Sequence, residues 1–163
     1  TNYDLGAHQK ASNENLEYLD PETNQRYLPY VVEPSVGVER LLLAILTSAY
    51  EEEKLENGDT REVLHLKPFL APKKVAVLPL VNKLGEKATE VYNMLVDKFA
   101  CDYDTSGQIG KRYRRQDANG TPFCVTVDYD TMEDGCVTVR ERDTMAQERV
   151  KIEDLVNYIN NRL

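Results

Sequence analysis

Several residue types that mark whole classes of protein are scarce or missing in this chain of 163 residues. It has no tryptophan, only three cysteines, seven prolines and eight glycines. Collagen-like, low-complexity and disulfide-stapled proteins are therefore excluded. No apolar run approaches the roughly 18 residues that a membrane-spanning helix needs, and no basic and apolar secretory signal opens the chain. The composition predicts a soluble, cytoplasmic, globular protein without a membrane partner.

The scarce metal-binding residue types are also badly spaced for a metal site. Cys101, Cys124 and Cys136 are odd in number, form no CxxC pair and lie within or beside apolar segments. That pattern favours reduced core thiols over a zinc or redox site. His8 and His65 lie far apart, and neither has a second histidine at metal-binding spacing. We therefore predict no metal site.

Charge is distributed unevenly along the chain. The formal net charge is -8, which argues against binding nucleic acid by bulk electrostatics. Residues 1–71 hold 6 basic and 13 acidic residues, whereas residues 72–163 hold 14 and 15. The second part includes a dense cationic cluster made of Lys111, Arg112, Arg114 and Arg115. Such a cluster suits phosphates, although charge alone favours a solvated helix face.

The pattern of the first part of the chain predicts a hairpin followed by an apolar helix. Short apolar stretches from Leu16 to Glu33 flank the turn-forming pentapeptide 20–24. The run from Val38 to Tyr50 is apolar on all sides, which predicts a helix buried on nearly all sides. Residues 51–59 are polar and predict a surface loop. Prolines at 68 and 72 suggest an extended connection, so we place two domains at 1–71 and 72–163.

The second part predicts a mixed-sheet α/β domain of two or three layers, in the order β-α-β-α-β-β-α. The predicted elements are a strand at 74–79, a helix at 84–99, a strand at 101–104, a basic helix from the candidate cap Ser106 to Asp117, strands at 123–129 and 137–142, and a helix at 152–163. Gly107 and Gly110 open the basic helix, which favours either a tight turn or an anion at the helix N-terminus.

Two charged features before and within the apolar helix stand out. Glu39 and Arg40 place charges in its first turn, and an unpaired buried charge is costly. They require an ion-pair partner, a ligand or water. Glu33 and Ser35 flank Pro34 just before that helix, where Glu33 is either an acceptor for an ammonium group or a loop residue beside the helix cap.

The residues that carry these features match a known pattern. The stretch 32–44 resembles the third signature motif of class II aminoacyl-tRNA synthetases. The segments 110–117, 120–128 and 137–145 resemble the dimeric, glycine-specific branch of that family. The resemblance covers practically the whole chain and implies that 1–71 is the end of a catalytic domain, a hairpin plus the third-motif helix. Residues 72–163 would form the anticodon-binding domain.

The resemblance also implies functional roles for individual residues. Arg40 is expected to be catalytic by contacting ATP phosphates through its guanidinium fork. The expected ATP-binding residues are Gly37, Val38, Glu39 and Arg40. The expected glycine-binding residues are Glu33, Pro34, Ser35, Val36 and Gly37, with Glu33 receiving the ammonium group.

The parent enzymes of the family join glycine to ATP and pass it to tRNA, with Mg²⁺ helping to neutralise the phosphates. They act as homodimers. The first two class II motifs do not occur in this sequence, so we expect this chain alone to be inactive, with no ATP or Mg²⁺ bound. Its oligomeric state stays open, because the first motif supplies much of the family's dimer interface.

A tRNA anticodon stem-loop is the partner implied for the second domain. Strand alternation puts Thr126, Asp128, Thr138, Arg140 and Arg142 on one face. We expect Arg140 and Arg142 near bases and Lys111, Arg112, Arg114 and Arg115 near the RNA backbone. The alternative is that these arginines form surface ion pairs with Asp128, Asp130, Glu141 or Asp143.

Two other functions remain open. A non-catalytic relative, such as a polymerase accessory subunit, would be expected to lose the third motif. The motif residues Glu33, Gly37, Glu39 and Arg40 are all present in this sequence. A flavodoxin-like receiver requires an acidic pocket at strand ends, for which Asp102 and Asp104 are a weak match.

Overall fold

The computed structural model describes residues 1–163, which divide into two compact units, Thr1–Leu41 and Leu42–Leu163. Helix α2 (Val38–Ala49) runs across this division. The division lies before the boundary that the prolines suggest, because residues 50–66 fold as part of the second unit. The assignment of 1–71 and 72–163 to separate functional domains stays a prediction.

The first unit contains helix α1 (Tyr3–Ser12) and a minimal hairpin, β1 (Tyr18–Leu19) with β2 (Arg26–Tyr27). The side chain of Asp20 organises the intervening turn by accepting hydrogen bonds from the Glu22 amide at 2.9 Å and the Thr23 hydroxyl at 2.7 Å. The regular pairing is shorter than the predicted 16–33 hairpin: only two residues on each side are paired.

Helix α2 corrects the expectation of a helix buried on nearly all sides. Ala49 is its one buried residue, whereas Leu41, Leu42, Leu43 and Leu46 are exposed. An apolar composition indicates that the side chains of a helix favour burial. It does not determine whether another element is present to cover that side chain.

Residues 51–59 form part of a β-hairpin rather than the predicted surface loop. Strand β3 (Tyr50–Lys54) pairs antiparallel with β4 (Thr60–Leu64), and Glu53 lies opposite Arg61. The apolar alternation that marks a strand is missing from these residues. Their inward positions are filled by paired charges as well as by the buried Val63.

A five-stranded mixed sheet forms the centre of the second unit. Its spatial order is β6 (Cys101–Tyr103), β5 (Val75–Pro79), β7 (Phe123–Val127), β8 (Cys136–Glu141) and β9 (Gln147–Lys151). The first three strands are parallel and the last two are antiparallel additions. Strand β9 was not predicted, because Val150 is its only buried side chain.

Helices cover both faces of this sheet and make three layers. Helix α3 (Gly85–Val96) and helix α6 (Leu155–Asn160) pack on one face with the larger apolar core, which includes Val77, Val91 and Ile159. Helix α4 (Ile109–Asn119) covers the other face, and strand β4 packs against it in turn. The four-residue helix α5 (Thr131–Asp134) follows β7 and was also absent from the predicted order.

The ends of α4 are defined by a turn and a glycine. Gln108 precedes the helix, and the Ser106 amide instead donates to the Asp104 carboxylate at 2.8 Å, so Ser106 is not the cap that was predicted. Gly120 ends the helix in the left-handed conformation, with φ of 75°. None of the helices in the chain combines the length and apolar character that crossing a membrane requires.

Candidate nucleic-acid interface

The basic helix α4 has an inner and an outer side. On the inner side, Ile109 and Tyr113 pack against Ala76, Leu78 and Cys124 of the sheet. The Tyr113 hydroxyl lies 2.6 Å from the Thr126 hydroxyl. Burial raises the pKa of Tyr113, so this phenol stays neutral and serves as a packing and hydrogen-bonding group.

The outer side of α4 carries three of the predicted cations. Lys111 is exposed and Arg114 is half-buried, and the side chains of both make no hydrogen bond or ion pair within the chain. Arg115 is exposed but ion-paired, since it donates to the Asp104 carboxylate at 2.6 and 2.9 Å. Lys111 and Arg114 are therefore the free cations of the helix.

Arg112 points inward and stabilises the start of the helix. Its guanidinium donates to the Gly107 carbonyl at 2.6 and 3.1 Å and also to the Pro79 carbonyl. These bonds join the turn before α4 to the end of β5. The side chain is buried, so Arg112 is a structural group and is unavailable to an RNA backbone in this conformation.

Arg140 is held by a buried carboxylate on α4. Its guanidinium donates to both oxygens of Asp117, at 2.8 and 3.0 Å, and lies over the Tyr113 ring at 4.9 Å from the centroid. Asp117 is fully buried and also accepts a bond from Arg61 at 3.2 Å. A bidentate Arg–Asp pair of this kind sets both position and orientation.

Arg142 is likewise committed to protein partners. It donates to the carbonyls of Gly120 at 2.8 Å and Leu66 at 2.9 Å, and its Nε donates to the Asp143 carboxylate at 2.7 Å. Together with Arg140 it corrects the expectation of base contacts. Alternation placed Arg140 on this face of β8, and Arg142 follows the end of the strand, but α4 and the residues after β4 cover both side chains.

A second ion-pair cluster lies where β7, α5 and β9 meet. Arg149 donates to Asp128 at 2.5 Å and to Asp134 at 2.8 Å. Burial opposes ionisation of Asp128, but bonds from Arg149, Thr131 and Thr138 outweigh it, and the pKa of Asp128 lies below its usual range. The ion-pair partner of Asp128 is therefore Arg149, which is not one of the arginines that the sequence-based alternative paired with it.

His65 lies among carboxylates that the sequence did not bring together. Its Nδ1 is 2.7 Å from Asp143, and its Nε2 is 3.0 Å from Glu53 and 3.6 Å from Glu51. The Arg61 guanidinium, which donates to Glu53 at 2.5 Å, lowers the pKa of that carboxyl. The three side chains Glu51, Glu53 and His65 have ligand atoms within 4.8 Å of one another. Only pairing across the β3–β4 hairpin creates this group.

Most of the third-motif segment, residues 32–41, lies in the first unit. Its residues from Glu33 to Arg40 are all exposed. The side chains of Glu33, Ser35, Glu39 and Arg40 form no hydrogen bond or ion pair within the chain, so the structural ion-pair interpretation of Glu39 and Arg40 finds no partner here. Glu33 and Glu39 do not form a cluster with a third metal-ligating side chain.

Comparison with known proteins gives a consistent result. A family profile described as anticodon binding domain matches residues 74–162. The chain is 59% identical to the glycine–tRNA ligase of Clostridium perfringens, covering 100% of the chain and 36% of that protein. It is 57% identical to the enzyme of Clostridium beijerinckii, covering 98% of the chain and 34% of that protein. The chain thus spans about a third of the length of these curated relatives.

A solved structure shares the architecture of part of the chain. This is the RNA binding domain of threonyl-tRNA synthetase from Cryptosporidium parvum Iowa II. It has a TM-score of 0.56 and 25% sequence identity, covering 60% of this chain and 25% of that one. The similarity supports a mixed α/β domain of the type seen in RNA-binding modules.

Proposed function

The chain belongs to the anticodon binding domain family, and from that premise we propose that its second unit binds the anticodon stem-loop of a glycine tRNA. The observation that carries this proposal is the outer side of α4. In a chain with net charge -8, Lys111 and Arg114 present cations without internal partners on a helix that packs against the sheet. Lysine and arginine side chains without internal partners are the groups that bind the phosphates of an RNA backbone.

The whole protein is proposed to be a glycine–tRNA ligase, which uses ATP to attach glycine to its tRNA. The similarity to enzymes of that name along almost the entire chain supports this. Because the chain spans about a third of those relatives, we expect it to supply RNA binding and to be inactive in aminoacylation alone. The homodimeric state and cytoplasmic location of the parent belong to the same proposal.

The third-motif residues keep their expected roles in that parent. Arg40 is proposed to bind ATP phosphates together with Gly37, Val38 and Glu39. Glu33 is proposed to bind the glycine ammonium group, with the segment from Pro34 to Gly37 lining the amino-acid site. Their exposure and their lack of internal partners are compatible with groups that serve ligands. Mg²⁺, which would help to neutralise the ATP phosphates in the parent, belongs to the same proposal.

The competing functions have less support. The relatives named above are glycine–tRNA ligases, which favours the synthetase over a polymerase accessory protein. The receiver interpretation required an acidic pocket at strand ends with a partner lysine, and Asp102 and Asp104 were its candidate acids. Asp102 instead accepts a bond from Gln116 at 2.7 Å, and Asp104 is bound to Arg115.

The test is a titration of the chain with a glycine-tRNA anticodon stem-loop and with the same hairpin carrying altered anticodon bases, at two salt concentrations. We expect tighter binding of the glycine anticodon. The double variant Lys111→Ala with Arg114→Ala should weaken binding and reduce the salt slope by about 2, roughly one unit for each phosphate that the variant no longer neutralises.

The matched control removes two cations from the opposite face of the sheet. Lys83→Ala with Lys98→Ala changes the net charge equally but alters exposed lysines that flank α3 and form no ion pair. We expect wild-type affinity and salt slope from this control. Equal losses in both double variants would show that only bulk charge matters, and no loss in the α4 variant would refute the proposed surface.

A further inference from the structure

Arg61 is an unusual residue for an edge hairpin. It lies on β4, outside the matched segment 74–162, and its side chain is completely buried. It donates to the Glu53 carboxylate at 2.5 Å, the Asp117 carboxylate at 3.2 Å and the Arg142 carbonyl at 2.9 Å. Burying a guanidinium is costly unless its donors are satisfied, and these partners come from three separate parts of the chain.

The contact with Asp117 means that α4 is held from two sides. The sheet contributes Arg140, which takes both oxygens of the carboxylate, and the hairpin contributes Arg61. Successive residues of a helix are about 100° apart, since a turn has 3.6 residues. A rotation of α4 at Asp117 would therefore redirect Lys111 and Arg114 on its outer side.

A second contact between the hairpin and α4 is steric. A Cβ added to Gly120, the residue that ends α4, would meet the Leu66 side chain at 3.0 Å and the Leu64 carbonyl oxygen at 3.1 Å. Arg142 bridges the same junction by donating to the carbonyls of Gly120 and Leu66. The hairpin and the end of α4 are thus packed at backbone distance as well as joined by charge.

We infer that Arg61 is a positioning residue for RNA binding, which makes the β3–β4 hairpin part of the RNA-binding module. Arg61 does not touch the RNA. It fixes Asp117, and through Asp117 the orientation of the cations on α4. This inference rests on the proposed function, because it takes the outer side of α4 as the RNA-binding surface.

The test compares three variants of the full chain. Arg61→Met removes the charged fork but keeps an apolar stem of similar length, and Arg61→Lys keeps the charge without the fork. Ile159→Ala is the control, since it weakens the core on the opposite face of the sheet. Stem-loop affinity and amide hydrogen exchange in α4 are measured at a temperature where thermal melts show each variant folded.

We expect Arg61→Met to bind the stem-loop about tenfold more weakly and to exchange its α4 amides faster. Arg61→Lys should have an affinity and an exchange rate between those of Arg61→Met and the wild type, because a single ammonium group replaces the guanidinium fork. Ile159→Ala should lose stability but keep its affinity, which distinguishes positioning from general destabilisation. If Arg61→Met fails to fold, the same comparison is made with Arg61→Lys.

Two results would contradict the inference in distinguishable ways. If the wild type binds and the folded Arg61 variant binds equally well, the inference fails and the proposed function stands. If the wild type does not bind any stem-loop, the proposed function fails and the inference fails with it.

Discussion

Gly120 lies so close to Leu64 that a side chain at this position would make an unusually tight contact with β4. A Cβ on Gly120 would be 3.1 Å from the Leu64 carbonyl oxygen and 3.2 Å from the Leu64 Cβ. Gly120 also has φ of 75°, a conformation that L-residues with a side chain adopt only at a cost. Two independent requirements for glycine therefore meet at the end of α4.

Gly120→Ala is expected to destabilise the chain by more than conformational strain alone. The left-handed conformation costs about 1–2 kcal/mol, and displacement of the hairpin adds to that figure. Gly135→Ala is the matched control, because Gly135 has φ of 66° with open space around it. Urea unfolding measures both variants. Equal losses of free energy would show that the contact with Leu64 contributes nothing.

The three cysteines are expected to differ sharply in reactivity. Burial raises the pKa of Cys101 to about 11 and that of Cys124 to about 12, whereas Cys136 is partly exposed. Because the thiolate is the reactive form, a thiol reagent at pH 8 should modify one cysteine in the folded chain. All three should react in denaturant.

Mass spectrometry of the intact chain counts the modified thiols. The variant Cys136→Ser should remain unmodified while folded, which assigns the single reactive group. Rapid modification of two or three thiols in the folded wild type would contradict the burial of Cys101 and Cys124. All three cysteines are free in the structure, and Cys101 and Cys124 are buried as predicted, whereas Cys136 is only partly buried and is not the core thiol that the sequence predicted.

The local pattern was a good guide to the sheet where apolar residues decide the fold. Val75 and Val77 face the larger core while Ala76 and Leu78 face α4, and an apolar run with both faces covered predicts this arrangement. The stripe along α3 was equally informative, with Ala88, Val91 and Leu95 buried. Periodicity is a reliable guide when burial depends on one residue type.

Charged strands escaped the same reasoning. Strands β3 and β9 contain mostly charged residues, so no apolar alternation marks them. The buried Arg61 on β4, the strand paired with β3, has partners that are distant in sequence. Arg61 pairs with Asp117 across 56 positions and with the Arg142 carbonyl across 81. No local pattern predicts such contacts. The sequence therefore identified Arg140 and Arg142 as important, but the structure shows that they bind protein groups.

The cluster around Arg149 is expected to make stability depend on acid pH. The Arg149 guanidinium lowers the pKa of Asp134, and the pKa of Asp128 is also lowered because donors outweigh its burial. A carboxylate whose pKa is lower in the folded chain stabilises that chain at pH values above its ordinary pKa of 3.8. This contribution is lost as the pH falls through the folded pKa values.

Arg149→Met should therefore be less stable than the wild type at neutral pH, and the gap should narrow as the pH falls below about 4. Lys151→Met is the control, because Lys151 is an exposed neighbour on β9 whose only ion pair, with Glu153, is a long contact of 3.4 Å. Urea unfolding across a pH series measures the free energy of each chain. A gap between Arg149→Met and the wild type that stays constant from pH 7 to pH 3 would mean that Asp128 and Asp134 do not depend on Arg149 for their ionisation.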